Sequence, residues 1–403
     1  MEDSYPGKQM SKQIKGKIKV LHFIHSSAVT GPGRIVYGLV DNINKDEFLC
    51  DVMCPSEGAL ANDLRKIGAR IISFDPNRFR EPLIFLTLSR LIRREGYHIL
   101  HIHSGQFSAF WKIFGRAAGI PGIIYTEHVE GSDHSWIKGR IKLFLHLLSH
   151  PISNWSVDRV IAVSKETRAC FIERQGISDA KVVTIYNGVY TRMLKEHRGD
   201  RTEMRKKLAL PNDACIIGMV ARFASDKGHM LLVQAAKKIL QIRHDIRFLL
   251  IGEGPERISV TNRIAFLGLQ DYFVLTGFQN DVYGIMDCID VAVQPSIKSS
   301  ESFGLTLVEA MAKHKAVVAS DIGCFREIVD DGVNGLLFTS EDSESLKDKI
   351  LLLSNDGDLR DRLGAAAQKK VEARFDISIT AEKTGNLYKE LLGSKGYVFG
   401  CER

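Results

Sequence analysis

Nowhere in the 403 residues does an apolar run approach the roughly 18 residues that a membrane-spanning helix needs, so an integral membrane protein is not expected. The start, Met1 to Lys19, is polar and basic without an apolar core, so a secretory leader is not expected either. Cysteine is scarce and odd in number: seven, at positions 50, 54, 170, 215, 288, 324 and 401. Cys50 and Cys54 are separated by three residues, but no second pair follows at metal-ligand spacing. Reduced core thiols in a cytoplasmic protein fit this pattern better than a disulfide framework or a zinc site. No His/Asp/Glu cluster shows clear metal spacing. Internal repeats and low-complexity tracts are absent too, which argues against a solenoid or a disordered chain.

What is present is an ordinary globular composition, 44% hydrophobic, in a chain too long for one core, so two domains are expected. The formal charge of +7 is unevenly placed. Residues 1–190 hold 25 Lys and Arg against 18 Asp and Glu, whereas residues 191–403 hold 30 of each. A basic first half suits an anionic membrane surface, an anionic acceptor or nucleic acid, and a solvated basic tail accounts for part of it. Strand-like apolar runs alternate with helical patterns almost throughout. Ile18–Ile24, Phe48–Cys54, Ile71–Phe74, His98–His103, Gly122–Thr126, Arg159–Ser164 and Val182–Tyr186 make a first series. A second series runs from Ala214–Val220 through Ile246–Ile251, Val274–Thr276, Asp290–Gln294 and Ala316–Ser320 to Gly335–Phe338. Such alternation implies parallel sheets with helices on both faces. Thr191 to Asp213, charged and without a strand, reads as a linker with a short helix.

The most informative stretch is Glu301-Ser302-Phe303-Gly304-Leu305-Thr306-Leu307-Val308-Glu309, with two carboxylates eight positions apart. A strand running through a Gly turn into a helix presents free N–H groups and a positive dipole end, which favour a phosphate. Ionised carboxylates only accept hydrogen bonds, which suits gripping vicinal sugar hydroxyls. Glu309 lies in an apolar helix, where an unpaired carboxylate is costly. Glu301 has a plainer alternative as a loop or helix-start charge. Arg222 and Lys227 follow another strand end. A forked guanidinium and a mobile ammonium there suit a diphosphate, and cations so placed stabilise a departing diphosphate most in the transition state. A surface ion pair with Asp226 or Glu253 is the plain alternative. Gly31-Pro32-Gly33 follows the first strand and opens a helix, but there is no third glycine at the dinucleotide spacing. His25, His103 and His128 each end a strand of the first series. Residues 135–148 place Trp136, Ile137, Ile141, Phe144, Leu145 and Leu148 near helical spacing between Lys138, Arg140 and Lys142. This fits an interfacial membrane helix or, equally, a helix with a buried apolar face.

The Glu301–Glu309 stretch resembles the Glu-x7-Glu element of the retaining GT-B glycosyltransferases of family 4. Further matches follow in the family's order. Arg222, Lys227 and Gly228 resemble its diphosphate-binding pair. Leu250-Ile251-Gly252-Glu253-Gly254-Pro255 resembles its strand-to-Gly-loop turn, and Thr276-Gly277-Phe278 the turn beside the base. Asn187-Gly188-Val189 resembles a boundary signature, although Tyr190 stands where the family has Asp. The resemblance covers residues 17 to 393 and is stronger in the second half.

It implies an α/β chain of two Rossmann-like domains facing a cleft: an acceptor-side domain over 17–190, a donor domain over 191–373, and a terminal helix over 374–393 crossing back to the first. It implies donor binding by Gly31, Gly33, Arg222, Lys227, Gly252, Gly254, Gly277, Phe278, Phe303, Gly304, Leu305 and Glu309. Catalytic roles are implied for Glu301, His128, Lys227 and Arg222, with His25 and His103 on the acceptor side. The implied reaction moves a hexosyl group, with retention, from a nucleoside-diphosphate sugar to a glycan or lipid-linked hydroxyl. Neither a metal nor another cofactor is expected in the chemistry, and nucleic acid is not an expected partner. A cytoplasmic protein is expected, with a peripheral contact to an anionic membrane as one option. A nucleotide-sugar 2-epimerase and a non-catalytic sugar-nucleotide-binding module are the competing readings. A dehydrogenase is poorer, for want of the full glycine fingerprint.

Overall fold

The computed structural model describes residues 12–75, 82–103, 108–128, 154–197, 199–297 and 301–399. The chain forms two compact units. The first comprises Met1–Val163, Thr167–Tyr186 and Ile377–Arg403, and the second comprises Ser164–Glu166 and Asn187–Asp376. The chain thus passes between units at 186/187 and at 376/377, a few residues from where the sequence places its breaks. Residues 135–148 and Cys401 lie outside the described residues. Among the described residues no helix is long and apolar enough to cross a membrane.

The first unit is built on a seven-stranded sheet: β2 (Ile18–Phe23), β3 (Phe48–Cys54), β4 (Arg70–Ser73), β5 (Ile99–Ile102), β6 (Gly122–Glu127), β7 (Arg159–Ala162) and β8 (Val182–Thr184). Their order is β4-β3-β2-β5-β6-β7-β8, every pair parallel. These strands are mostly apolar, as strands covered on both faces must be, with buried polar exceptions such as His22, Asp51 and His101. A short β1 (Lys12–Ile14) pairs in parallel with β15 (Tyr397–Phe399), and no signal in the sequence announces that pair. The helix Ile377–Ser394 belongs to this unit. It packs on the helix Gly31–Asn42 and buries Leu387, Tyr388, Leu391 and Leu392, with the Tyr388 ring 5.9 Å from that of Phe48. Each such aliphatic side chain contributes about 1.5–3 kcal/mol by leaving water, enough to fix the helix in place.

The second unit repeats the plan with six strands: β9 (Cys215–Val220), β10 (Ile246–Ile251), β11 (Phe273–Gly277), β12 (Val291–Gln294), β13 (Ala316–Ser320) and β14 (Leu336–Phe338). They are all parallel, in the order β11-β10-β9-β12-β13-β14. In both sheets the strand order reverses once, between β2 and β5 and between β9 and β12. Doubly wound sheets bind ligands outside the carboxyl ends of the strands at that reversal. Each unit therefore has one favoured place for chemistry. In the linker the structure forms two short helices, Thr191–Glu196 and Arg201–Lys207, where the sequence suggests one.

Candidate functional site

At the reversal of the second unit, the chain leaves β9 through Arg222 and the turn Ser225–Lys227, and leaves β12 through Pro295 and Ser296. The two exits are held together. Ile297 N donates to Asp226 O at 2.8 Å, and a Cβ on Gly228, whose φ is +79°, would stand 1.9 Å from Pro295 O. Only glycine permits so close an approach of two backbones. Lys227 is thereby brought to Glu301: Nζ donates to Oε2 at 2.8 Å, and a second contact reaches Asp226 at 3.1 Å. The ion pair named as the plain alternative for Lys227 does form with Asp226, but its closer partner is the other candidate residue.

Both side chains of the Lys227–Glu301 pair are mostly buried, at 17% and 16% exposure. Burial alone would lower the Lys227 pKa, but the carboxylates of Glu301 and Asp226 outweigh it and the net shift is upward. Behind Glu301 runs a relay. Ser296 Oγ donates to Glu301 Oε2 at 3.1 Å, Gln294 Nε2 donates to Ser296 Oγ at 3.1 Å, and Thr306 Oγ1 donates to Gln294 Oε1 at 3.2 Å. The relay fixes Glu301 from the strand end and ties it to the first turn of the helix Leu305–Ala312.

That helix opens at Gly304, whose φ of +97° suits glycine and whose missing Cβ would meet the Phe325 ring at 2.5 Å. Phe303 is buried, 5.6 Å from the ring of Phe375 and at 72° to it, and so acts as an anchor for the turn. Glu309, 2% exposed, accepts from Tyr283 Oη at 2.9 Å. The loops after β9, β10 and β11 converge: Gly252 N donates to Gly277 O at 3.0 Å, Phe223 N donates to Glu253 O at 2.9 Å, and Gly254 lies against Phe223 O. Glu253 pairs with Arg257 rather than with Arg222, and Arg222 is exposed with no ion pair among the described residues. Phe278 is 72% exposed beside Gly277.

In the first unit, Gly31 and Gly33 sit in the first turn of the helix Gly31–Asn42, which follows Thr30 at its amino end. His25 is half-buried after β2, and burial lowers its pKa. His103 is 2% exposed and bonded on both ring nitrogens, to His22 at 2.9 Å and to His128 at 3.2 Å. It is a buried link and not a group that lines a surface, because its strand end is covered; any effect on a substrate must pass through His128. His101, the register partner of His22, bonds Tyr388 Oη at 2.6 Å and Thr126 Oγ1 at 2.7 Å. The ligand-capable nitrogens of His22, His101 and His103 lie within 4.8 Å of one another. Sequence spacing shows no such cluster, because it is made by pairing β2 with β5.

The residues that sequence reasoning passes over are Gln294, Ser296, Thr306, Tyr283, His22 and His101. For Gln294 and Ser296 a signal existed: polar groups closing an otherwise apolar buried strand need partners. For the others the partner comes from a distant element, and no local pattern marks it.

Comparison with known proteins agrees with this architecture. The model described as Glycosyltransferase Family 4 matches residues 29–192, and that described as Glycosyl transferases group 1 matches residues 200–370. The chain is 31% identical to an uncharacterized glycosyltransferase of Methanocaldococcus jannaschii, over 75% of this chain and 78% of that one. It is 23% identical to the UDP-Gal:alpha-D-GlcNAc-diphosphoundecaprenol alpha-1,3-galactosyltransferase of Escherichia coli, over 95% of this chain and 100% of that one. Among solved structures, Anabaena HepE in complex with UDP-glucose superposes with a TM-score of 0.78 at 23% identity, covering 93% of this chain and 99% of that one. Two doubly wound units, the matched halves and these relatives together establish that the chain belongs to the family 4 glycosyltransferases of the GT-B fold.

Proposed function

We propose that the protein transfers a hexosyl group from a UDP-sugar to a hydroxyl of a lipid-linked or glycan acceptor, with retention at the anomeric carbon. The observation that carries the reading is the Lys227–Glu301 pair at the reversal of the second sheet, 2.8 Å apart and backed by the Ser296 relay. An ammonium has three protons. Two of those on Lys227 face Glu301 and Asp226, and the third is left to meet a phosphate oxygen while Glu301 accepts from a sugar hydroxyl. Arg222 supplies a second cation, and the helix opened by Gly304 supplies its amino-terminal N–H groups.

As the glycosidic bond breaks, negative charge grows on the diphosphate, and fixed cations then stabilise it most. On this reading the leaving phosphate oxygen takes the proton of the attacking hydroxyl on the same face of the sugar, so configuration is kept and no side-chain nucleophile is required. Glu309, oriented by Tyr283, holds the ribose hydroxyls. The charge-stabilising work is assigned to protein groups, so turnover should survive a chelator. The names of the E. coli and Anabaena relatives support a uridine diphosphate donor, and the former supports a polyprenyl diphosphate-linked acceptor.

The test is incubation with a panel of nucleotide sugars with and without acceptor, following nucleoside diphosphate release and the anomeric coupling of the product by NMR. Acceptor-dependent release with an unchanged anomer supports the reading. An inverted product, or epimerisation of the sugar without acceptor, overturns it. Lys227→Ala and Glu309→Ala should each lower turnover by at least roughly a hundredfold, with an unchanged far-UV circular dichroism spectrum.

A further inference from the structure

The amino-terminal edge of the first sheet carries a cluster of cations that the transfer chemistry does not use. Asp158, just before β7, accepts from Arg116 Nη2 at 2.8 Å and from Lys395 Nζ at 2.7 Å. Arg159 donates to the Asp158 carbonyl at 3.0 Å. Lys181, just before β8, donates to the carbonyls of Asn154 at 2.8 Å and Val157 at 2.9 Å. Four cations thus crowd one carboxylate. Burial lowers the pKa of Lys181; Asp158 opposes this, while Arg116, Arg159 and Lys395 push it further down. The cluster repels itself, and a further anion would relieve it.

Apolar side chains stand beside these cations. Lys181 and Arg116 hold residues 154–157 by their carbonyls, Arg116 Nη2 reaching Ser156 O at 3.1 Å, and the Trp155 carried there is 73% exposed. Lys395 leads into β15, whose Val398 and Phe399 are exposed at 51% and 39%. Ile14, the register partner of Phe399, is buried and anchors the β1–β15 pair. Lys12 lies over the Tyr397 ring, 5.6 Å from its centroid. Lys15 and Lys17, between β1 and β2, are exposed and have no ion pair among the described residues.

Part of this has a plainer cause. Helices end at this edge, and their last carbonyls attract positive groups. That accounts for Arg116 and Lys181, which bind carbonyls. It does not account for Lys12, Lys15 and Lys17, nor for Trp155, Val398 and Phe399 held in water near them. The acids at the starts of these strands do not balance the charge, because Glu95 is paired with Arg70 and Arg94, and Asp179 with Arg168. A nucleic acid would use the cations and leave Val398 and Phe399 in water. An anionic bilayer surface uses both sets: lipid phosphates meet the cations, and the apolar side chains enter the headgroup layer, where tryptophan is favoured.

We infer that the amino-terminal edge of the first sheet, with Trp155 and the β1–β15 pair, is a docking surface for an anionic phospholipid bilayer. The carboxyl ends of the strands, where α/β sheets take their ligands, lie at the opposite edge and stay uncovered. The inference does not depend on the transferase reading, since it concerns another edge of the sheet and needs no nucleotide sugar.

The test is partitioning of the full chain onto vesicles rich in phosphatidylglycerol and onto vesicles of phosphatidylcholine alone. The protein should bind the former and not the latter, and binding should weaken as salt rises. Lys12→Gln, Lys15→Gln and Lys17→Gln combined should weaken it roughly a hundredfold, about fivefold for each cation removed. Tryptophan emission should move to shorter wavelength on binding, and Trp155→Ala should lose that shift and weaken partitioning roughly tenfold. These side chains are exposed, so thermal midpoints should match that of the unaltered protein; should the triple variant not fold, Trp155→Ala decides. Equal binding to both vesicles, binding to neither, or capture of a DNA duplex in place of vesicles overturns the inference. Binding to anionic vesicles undiminished in both variants overturns it as well, because the contact would then lie elsewhere.

Discussion

The imidazole cluster makes a quantitative demand on stability between pH 6.5 and pH 5. Burial lowers the pKa of His22 from 6.5 to about 3 and puts those of His101 and His103 well below 6.5, the latter two reinforced by neighbouring imidazoles. The unfolded chain takes up protons near pH 6.5 and the native unit does not, so this contribution is complete above that pH and is lost as pH falls. His128, bonded to His103 and lowered to about 4 by burial, behaves likewise. For one imidazole that stays neutral in the native unit, the loss from pH 6.5 to pH 5 is about 1.5 kcal/mol, and for the four roughly 6 kcal/mol. That is a large part of the roughly 5–15 kcal/mol that holds an ordinary domain together. Carboxylates release or take protons mainly below this window, so they blur it little. The assay is urea unfolding at the two pH values, followed by tryptophan fluorescence. All three tryptophans, Trp111, Trp136 and Trp155, belong to the first unit, so the signal reports that unit alone. His22→Asn should reduce the pH-dependent loss by about 1.5 kcal/mol, roughly a quarter of the cluster's share. A wild-type loss below about 1 kcal/mol, or an undiminished loss in His22→Asn, would show that these rings are not held neutral by burial.

Three further outcomes follow from the second unit. Lys227→Met and Glu301→Gln should each lower kcat by roughly 10²–10³, the scale of one electrostatic group aimed at transition-state charge; steady-state kinetics with near-normal values would remove both from the chemistry. Tyr283→Phe takes from Glu309 its 2.9 Å donor and should raise KM for the nucleotide sugar roughly tenfold with kcat little changed, whereas a fall in kcat alone would contradict the ribose-binding role. Gly304→Ala forces a side chain into a backbone at φ +97° against the Phe325 ring, and should destabilise the second unit by about 1–3 kcal/mol in calorimetry.

The strands were legible because a strand buried on both faces must be a continuous apolar run. Phe48–Cys54, Ile246–Ile251 and Ala316–Ser320 are found at the residues where the pattern places them. Strand order was not legible, and the order decides which distant residues meet. His22 and His101 look like unremarkable polar breaks in two strands until β2 pairs with β5 and puts one beside the other. Lys227 and Glu301 were each visible as candidates, but their contact needs Gly228 and Pro295 to touch, a fact of tertiary packing. Tyr283 had no local signal at all, because its partner, Glu309, is on another helix.

The two units solve the same problem with opposite chemistry. At the reversal between β9 and β12, the groups are charged and their ranks are set by ion pairing: Lys227 is held protonated by Glu301 and Asp226, and Glu301 is aimed by Ser296. At the reversal between β2 and β5, the groups are imidazoles kept neutral by burial and joined to one another by hydrogen bonds. A diphosphate needs fixed charge, because the charge that develops on it must be met without rearrangement. A neutral hydroxyl needs no fixed charge to meet it, and burial leaves these imidazoles none to offer. On this argument, adding charge to the first unit's cluster should hurt transfer more than removing it. His22→Lys should therefore lower kcat further than His22→Phe when both variants remain folded, and the opposite ranking would mean that the neutrality of the cluster has no part in the reaction.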